Sequence, residues 1–371
     1  MSTNRRIYLD FNATAPLSAA ARDAIAEAMP EVGNPSSVHT EGRRVRDRVE
    51  RARNQVAALV GRPREQVVFT SGGTEANWLG VMGLAAAAEA RGMPRVVATT
   101  RIEHPSLRAP IAALRSRGWT VVDLDADCDA VADAEVGLIA VGLVNHEIGT
   151  IEDRARARSG GAGAGPLVHV DAVQAAGKLD LTGLDAESIA ISAHKIGGPQ
   201  GVGALVIAVD EGLPVGGAEA GHQERGRRAG TENTLGIVGL GAAAAAVDWT
   251  TWTSVAALGD RLEQGLRTID GVRIHGDDRT RVGGTINAGF AGALGESIVM
   301  ALDLEGIAVS TGAACTSGSI QPSPVLLGLG LSADEARSAV RFSSGRTTTE
   351  VEIDETLRVL PRVVERARRN R

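Results

Sequence analysis

Lys195 and Cys315 are the side chains through which this sequence could make and break covalent bonds to a substrate. Of its 39 lysines and arginines only Lys178 and Lys195 are lysines, and Cys128 and Cys315 are its 2 cysteines. A mechanism that needs an amine or a thiol therefore has few candidates. Lys195 stands in Ser192-Ala193-His194-Lys195-Ile196-Gly197-Gly198-Pro199-Gln200-Gly201, just after an apolar run ending at Ile191. A lysine at the carboxyl end of a strand, before a glycine-rich turn, is well placed to form a Schiff base with a carbonyl cofactor. Most loop lysines are solvated surface groups, but the scarcity of lysine and the flanking histidine and glycines favour a chemical role. Cys315 lies in Ser310-Thr311-Gly312-Ala313-Ala314-Cys315-Thr316-Ser317-Gly318-Ser319, a loop composition of small and polar residues. A structural thiol usually packs among aliphatic side chains, so Cys315 reads as a mobile nucleophile. Cys128, between Asp127 and Asp129, has neighbours that disfavour the thiolate.

Two further motifs could serve a cofactor. Val168-His169-Val170-Asp171-Ala172-Val173-Gln174 puts an acid and an amide at the end of a second strand-like run. A carboxylate there could keep a pyridinium nitrogen protonated and make the ring an electron sink. Alone, an aspartate at a strand end is more often a cap for the next segment; together with Lys195, Asp171 fits a pyridoxal-phosphate site better than two separate accidents. Thr70-Ser71-Gly72-Gly73-Thr74-Glu75-Ala76-Asn77, directly after Val67-Val68-Phe69, offers small residues and backbone N–H groups at a helix start, which suits a phosphate. It could also be an ordinary strand-to-helix turn.

These residues need a scaffold, and the chain supplies the pattern of one. At about 150 residues per domain, 371 residues suggest two domains or one large α/β unit. Apolar runs at 67–69, 96–98, 121–122, 138–141, 168–170, 189–191 and 204–206, most of them separated by helical or polar segments, predict buried strands. That alternation implies a mainly parallel sheet, whose ligands sit beyond the carboxyl ends of the strands. Helical patterns run from about Ser18 to Met29 and from about Glu41 to Val60, and Ala242 to Trp252 reads as one long helix leaving this unit. From about Val272 the texture changes to shorter strands and helices, a smaller α+β domain that the N-terminal residues join. The expected domains are residues 13–246, and residues 1–12 with 247–371. The Gly/Ala-rich stretch from Ser159 to Gly165 reads as a loop.

Composition excludes other classes. A 43% hydrophobic and 23% charged chain with 2% aromatics is that of a globular protein with an aliphatic core. A formal net charge of −6 argues against a nucleic-acid partner. The Arg358–Arg371 end reads as one face of a terminal helix. No apolar run approaches the ~20 residues that span a bilayer, and no signal-peptide core follows the first arginines, so a cytoplasmic protein without a membrane partner is expected. There is no Cys-x-x-Cys or His-Glu-x-x-His metal pattern, and no metal is expected.

Taken together the motifs resemble the cysteine desulfurases of the NifS/IscS type, in the class V aminotransferase group of pyridoxal 5'-phosphate (PLP) enzymes. The resemblance runs through Tyr8-Leu9-Asp10, Gly33-Asn34-Pro35-Ser36-Ser37, the Thr70–Asn77 turn, Glu103-His104, Asn145-His146-Glu147-Ile148-Gly149, Asp171–Gln174, Ser192–Gly198, Arg225–Thr231, Ser310–Ser317 and Arg341-Phe342-Ser343. It implies the fold type I of PLP-dependent transferases, α/β, with a large domain built on a mainly parallel seven-stranded sheet and a smaller α+β domain carrying the Cys315 loop. It implies that Lys195 holds PLP, Asp171 pairs with the pyridinium nitrogen, Gln174 hydrogen-bonds the phenolic oxygen and His104 stacks on the ring. Gly73, Thr74, Ser192 and His194 would bind the phosphate, with Thr231 reaching it from a partner subunit, hence a homodimer. Asn34 and Arg341 would hold the substrate carboxylate. Relatives carry a second asparagine where this chain has His146; the contact to the phenolic oxygen from the Asn145-His146 pair passes to His146 or is left to Gln174. Cys315 would take sulfur from L-cysteine as a persulfide, leave L-alanine, and pass the sulfur to an external acceptor protein. That acceptor could serve iron–sulfur assembly, tRNA or DNA thiolation, or a biosynthetic carrier. The alternative on the same fold is selenocysteine lyase or a related C–S lyase. A non-catalytic subunit is disfavoured by the joint presence of Lys195, Asp171, Cys315 and Arg341.

Overall fold

Each of the seven apolar runs becomes a strand of one sheet. Its order is Val67–Thr70, Gly203–Ile207, Ser188–Ser192, Leu167–Asp171, Leu138–Gly142, Val96–Thr99 and Thr120–Asp123. Only Gly203–Ile207 runs antiparallel to its neighbours; the remaining pairs are parallel. The computed structural model describes residues 6–124, 136–152, 165–207, 221–311 and 321–369. They fall into two units, residues 15–143 with 152–247, and residues 1–14, 144–151 and 248–371.

The sheet belongs to the larger unit. Its central strands are buried along their whole length, as strands without an alternating polar face must be. Helix Gly73–Ala90 lies across them, packing Ala76, Leu79 and Leu84 into a core with Val97, Leu138, Ala190 and Leu205. Small residues allow a second close packing. In helix Thr234–Ala245, a Cβ on Gly241 would lie 2.6 Å from Ala52 Cα of helix Thr40–Val60, and one on Gly239 would lie 2.7 Å from Ile25 Cδ1 of helix Ala19–Ala28. The sequence pattern predicted one helix over Ala242–Trp252; the chain instead ends one helix at Ala245 and starts another, Thr250–Arg267. Asp248 makes the break, since its carboxylate accepts the Thr250 N–H at 2.9 Å and the Thr250 hydroxyl at 2.7 Å, an alternative to helical bonding.

The smaller unit is α+β. Strands Ala339–Ser343, Thr285–Phe290 and Val272–Ile274 form an antiparallel sheet, and Ile7–Tyr8 pairs in parallel with Ile307–Ala308. Its core joins Leu9, Phe290, Phe342, Ile353 and Leu360. The internal segment Val144–Ile151 belongs here because its backbone bonds do: Val282 N–H donates to Gly149 O at 2.8 Å and Ile151 N–H to Thr280 O at 2.9 Å. Arginines 358, 362, 366 and 369 line the exposed side of helix Glu350–Arg369 beside Glu355, Glu305 and Glu365. Among the described residues no single helix is long and apolar enough to cross a membrane.

Candidate active site

In the larger unit the candidate residues gather at the carboxyl ends of adjacent strands. Asp171 ends Leu167–Asp171, and Ser192 ends the neighbouring Ser188–Ser192, with Asp171 in register with Ala190. After Ser192 the chain makes a single 3-10 turn, Ala193–Lys195. Ala193 O then accepts from Ile196 N–H at 3.0 Å and Gly198 N–H at 2.9 Å, while Gly197 takes a φ of +84°. That left-handed conformation strains any residue with a Cβ, so the glycine is what lets the chain reverse immediately after the lysine. His194 and Lys195 are both half-buried. Burial, and then the Lys195 charge, lower the His194 pKa to about 4, so its imidazole is neutral.

Gly73 opens the helix after strand Val67–Thr70. A Cβ at this position would lie 2.6 Å from Val173 Cγ2 and 3.3 Å from Ser192 Cβ, so only glycine brings this helix start against the Asp171 and Lys195 segments. No side chain caps the helix at Gly72, which leaves the first-turn N–H groups and the positive end of the helix dipole to an anion. Thr74 is exposed at the same turn. Glu75 faces the other way: it accepts from Ser71 N–H at 2.6 Å and from Arg228 Nε at 3.0 Å.

Asp171 is buried and its carboxylate is held by two donors, Val173 N–H at 2.9 Å on Oδ1 and Asn77 Nδ2 at 2.7 Å on Oδ2. Gln174, also buried, accepts from Lys178 Nζ at 2.9 Å. An ammonium only donates, so the Gln174 carbonyl faces Lys178 and its NH2 faces away. His104, exposed at the start of helix Pro105–Ser116, caps it by accepting Ser106 N–H at 3.1 Å through Nδ1. Beside it, Glu103 is buried, accepting from the Thr100 hydroxyl at 2.7 Å and Gly142 N–H at 2.9 Å. Burial, aided by the Asp171 and Glu152 charges, raises its pKa to about 8.

Thr231 is exposed on the loop that leaves Glu224. Glu224 and Arg225, with φ of +47° and +59°, are the positive-φ residues other than glycine among the described residues. Such backbone costs of order 1 kcal/mol per residue, and a buried ion pair holds it: Glu224 takes Arg53 Nη1 at 2.7 Å, Arg53 Nη2 at 2.9 Å and Phe69 N–H at 2.9 Å. The loop is thereby tied to the strand that precedes the Gly72–Gly73 turn. Asn34 is exposed, and its side chain closes a local turn by accepting Ser36 N–H at 2.8 Å.

The smaller unit groups the other candidates. Arg341, buried in strand Ala339–Ser343, donates through Nη2 to Asp10 Oδ1 at 2.7 Å and through Nη1 to His146 O at 3.1 Å. Its buried Nε has no partner among the described residues. Asn145 is buried, and its side-chain oxygen accepts from Glu147 N–H at 2.9 Å and Ile148 N–H at 3.1 Å, which shapes the turn whose carbonyl at His146 meets Arg341. The His146 ring lies 3.6 Å from Glu147 Oε1. Arg341 also exchanges backbone bonds with Ser310, at the base of the segment that carries Cys315. Cys315 and Cys128 lie outside the described residues.

Asp10, Arg53, Asn77, Glu103 and Glu224 were not singled out as functional residues by sequence. Asn77, Asp10 and Glu103 did fall inside quoted motifs, which is the signal that could have found them.

Known proteins resemble this chain along nearly its whole length. The aminotransferase class-V family profile matches residues 7–356. Cysteine desulfurase 2 of Trichormus variabilis is 39% identical over 380 residues, covering 98% of this chain and 94% of the relative. The IscS-like cysteine desulfurase of Mycobacterium tuberculosis is 39% identical over 391 residues, covering 98% and 97%. Among solved structures, a NifS-like protein superposes with a TM-score of 0.84 at 27% identity, covering 97% of this chain and 99% of the other.

Proposed function

The chain belongs to the aminotransferase class-V family, and on that premise we propose that it is a PLP-dependent cysteine desulfurase, converting L-cysteine to L-alanine and a Cys315 persulfide. The observation that carries this reading is the grouping, in one unit, of the Ser192–Lys195 turn, the doubly held Asp171 and the uncapped helix start at Gly73, pressed together by a glycine that a Cβ would drive apart. These residues fit PLP. Its phosphate would find N–H donors at Gly73 and Thr74, the Ser192 hydroxyl and the neutral His194. Its ring nitrogen would face the Asp171 carboxylate, its phenolic oxygen the Gln174 NH2, and its ring face the exposed His104. Lys195 would hold its carbonyl carbon. Thr231 would serve the phosphate site of a partner subunit, which makes the enzyme a homodimer.

When bound, PLP supplies an electron sink for negative charge at the substrate Cα. The Lys195 amine, once released, takes the Cα proton and returns it. Arg341 holds the substrate carboxylate through N–H donors that Asp10 and the His146 carbonyl leave over, and Asn34 assists. Asn145 and His146 enter through the turn whose carbonyl steadies Arg341. Cys315, as thiolate, attacks the substrate sulfur: an S–S bond forms, the C–S bond breaks, and the carbon keeps the electron pair and takes a proton to give alanine. The persulfide then passes to a thiol of an acceptor protein. The enzyme works in the cytoplasm.

The test is to assay alanine and sulfide from L-cysteine with a thiol reductant, for the wild type, Lys195→Ala and Cys315→Ala. Both variants lose sulfide release, and only Lys195→Ala loses the bound-cofactor absorbance. Wild-type sulfur release by Cys315→Ala would overturn the nucleophile; a wild type that stays colourless with PLP would overturn the cofactor.

A further inference from the structure

Asn77 is fully buried in the first turns of helix Gly73–Ala90, and its amide is a junction. Nδ2 donates to Asp171 Oδ2 at 2.7 Å and to Ser106 Oγ at 2.9 Å, while Oδ1 lies 3.0 Å from His169 Nε2. From there two branches continue. His169, fully buried, has Nδ1 2.7 Å from Ser188 Oγ. Ser106 Oγ lies 2.7 Å from His104 Nδ1. Gly80, three residues along the same helix face, makes room: a Cβ there would lie 2.4 Å from His169 Nδ1.

With Asp171 ionised, the donors and acceptors can be assigned in one way. A carboxylate only accepts, so the Asn77 NH2 must face Asp171 and its carbonyl must face His169. His169 Nε2 therefore carries a hydrogen. Burial lowers the His169 pKa to about 3, so the ring is neutral and Nδ1 accepts the Ser188 hydroxyl hydrogen. On the other branch the second Asn77 N–H occupies Ser106 Oγ, and the hydroxyl turns its own hydrogen to His104 Nδ1. That nitrogen also accepts Ser106 N–H at 3.1 Å. Two donors aimed at one ring nitrogen leave no place for a hydrogen on it, and His104 is held as the neutral Nε2–H tautomer.

We propose that Asn77 is a positioning residue that joins Asp171 to His104, so that the ionised aspartate fixes the tautomer of the histidine through Ser106. The link matters to catalysis on the reading that these two side chains meet the same cofactor ring, one at its nitrogen and one at its face. Asn77→Asp reverses the polarity of the junction. It puts a second carboxylate against Asp171, where two such groups share a proton, and it draws the Ser106 hydroxyl hydrogen away from His104.

The experiment is long-range 1H–15N NMR of the seven histidines at neutral pH, on the enzyme as isolated and after cofactor removal, with a parallel PLP titration. In the wild type His104 is the Nε2–H tautomer in both forms. Losing a hydrogen bond changes such a ratio by about tenfold, and that loss is expected for His104 in Asn77→Asp and in Ser106→Ala. Asn77→Asp also weakens PLP binding by about tenfold or more, whereas Ser106→Ala, which leaves Asp171 its donor, changes it by less than about threefold. An Nδ1–H tautomer in the wild type, or an unchanged ratio in Ser106→Ala, overturns the proposal even if Asn77→Asp fails to fold. A wild type that binds no PLP sinks the cofactor reading but leaves the histidine result standing.

Discussion

Replacing Glu103 by Gln removes a buried ionisable group next to the candidate site while keeping a partner for each of its hydrogen bonds. Glu103 is sealed from solvent, and burial moves its pKa from an ordinary 4.5 to about 8. The unfolded chain gives up this proton near the ordinary value, while the folded chain keeps it. Between those pH values unfolding releases a proton, so the contribution to stability is complete below pH 4.5 and is lost as the pH rises through about 8. At about 1.4 kcal/mol per tenfold in proton affinity, the displacement from 4.5 to about 8 amounts to a loss on the order of 5 kcal/mol. Gln avoids it: its carbonyl accepts from Gly142 N–H and its NH2 donates to the Thr100 hydroxyl, in the places the carboxyl occupies.

Thermal unfolding of both proteins across that range reads the effect. At roughly 2–4 °C per kcal/mol for a domain of this size, the midpoint of Glu103→Gln gains on the wild type by about 10–20 °C between acid and pH 8.5, and the two curves run parallel below the ordinary carboxylate pKa. Parallel curves throughout would refute the reasoning, and so would a variant that lags most at high pH, since Glu103 would then be a carboxylate that the fold requires. The effect reaches the site because Gly142 is paired in register with Asp171. A neutral Glu103 keeps a second negative charge off the strand end where Asp171 must hold its own.

Three further outcomes follow from the geometry. Glu224→Gln takes the buried partner from the Arg53 guanidinium, leaving it the more exposed Glu50 at 3.0 Å, and lowers stability by about 3 kcal/mol; adding Arg53→Met recovers much of the loss, and strictly additive losses in melting temperature would refute the pairing. Arg341→Lys replaces a planar fork by a point charge and raises KM for L-cysteine about tenfold or more with a smaller change in kcat, so an unchanged KM would remove Arg341 from substrate binding. Lys178→Met frees the Gln174 amide to turn, and the PLP dissociation constant, read by fluorescence titration, rises about threefold to tenfold; no change would mean that Gln174 is oriented by other contacts.

What could be read from the sequence and what could not differ in how far apart the determining residues lie. The strands announced themselves as apolar runs, and the places of Lys195, Asp171 and Gly73 were legible because each stands at the end of a run beside residues that make the turn. Asn77 looked like one more residue of a helix start; its meaning comes from Asp171, 94 positions away, and His169, 92 positions away. Glu103 beside His104 gave no sign of burial, and the partner of Arg53 stands 171 positions on. Ala242–Trp252 misled for the opposite reason, since helical composition outweighed one capping aspartate, Asp248. Arg341 shows what geometry adds to a residue already singled out. By type it suits a carboxylate through its charge, yet Asp10 stands 2.7 Å from Nη2 and matches that charge before any substrate arrives. On the proposed reading, recognition then rests on the N–H donors that Asp10 and the His146 carbonyl leave over, and on a guanidinium held flat by those two. A site of that kind selects the position of a carboxylate more than it attracts anions at large, as an enzyme must if it is to hold one amino acid with its sulfur within reach of a single thiol.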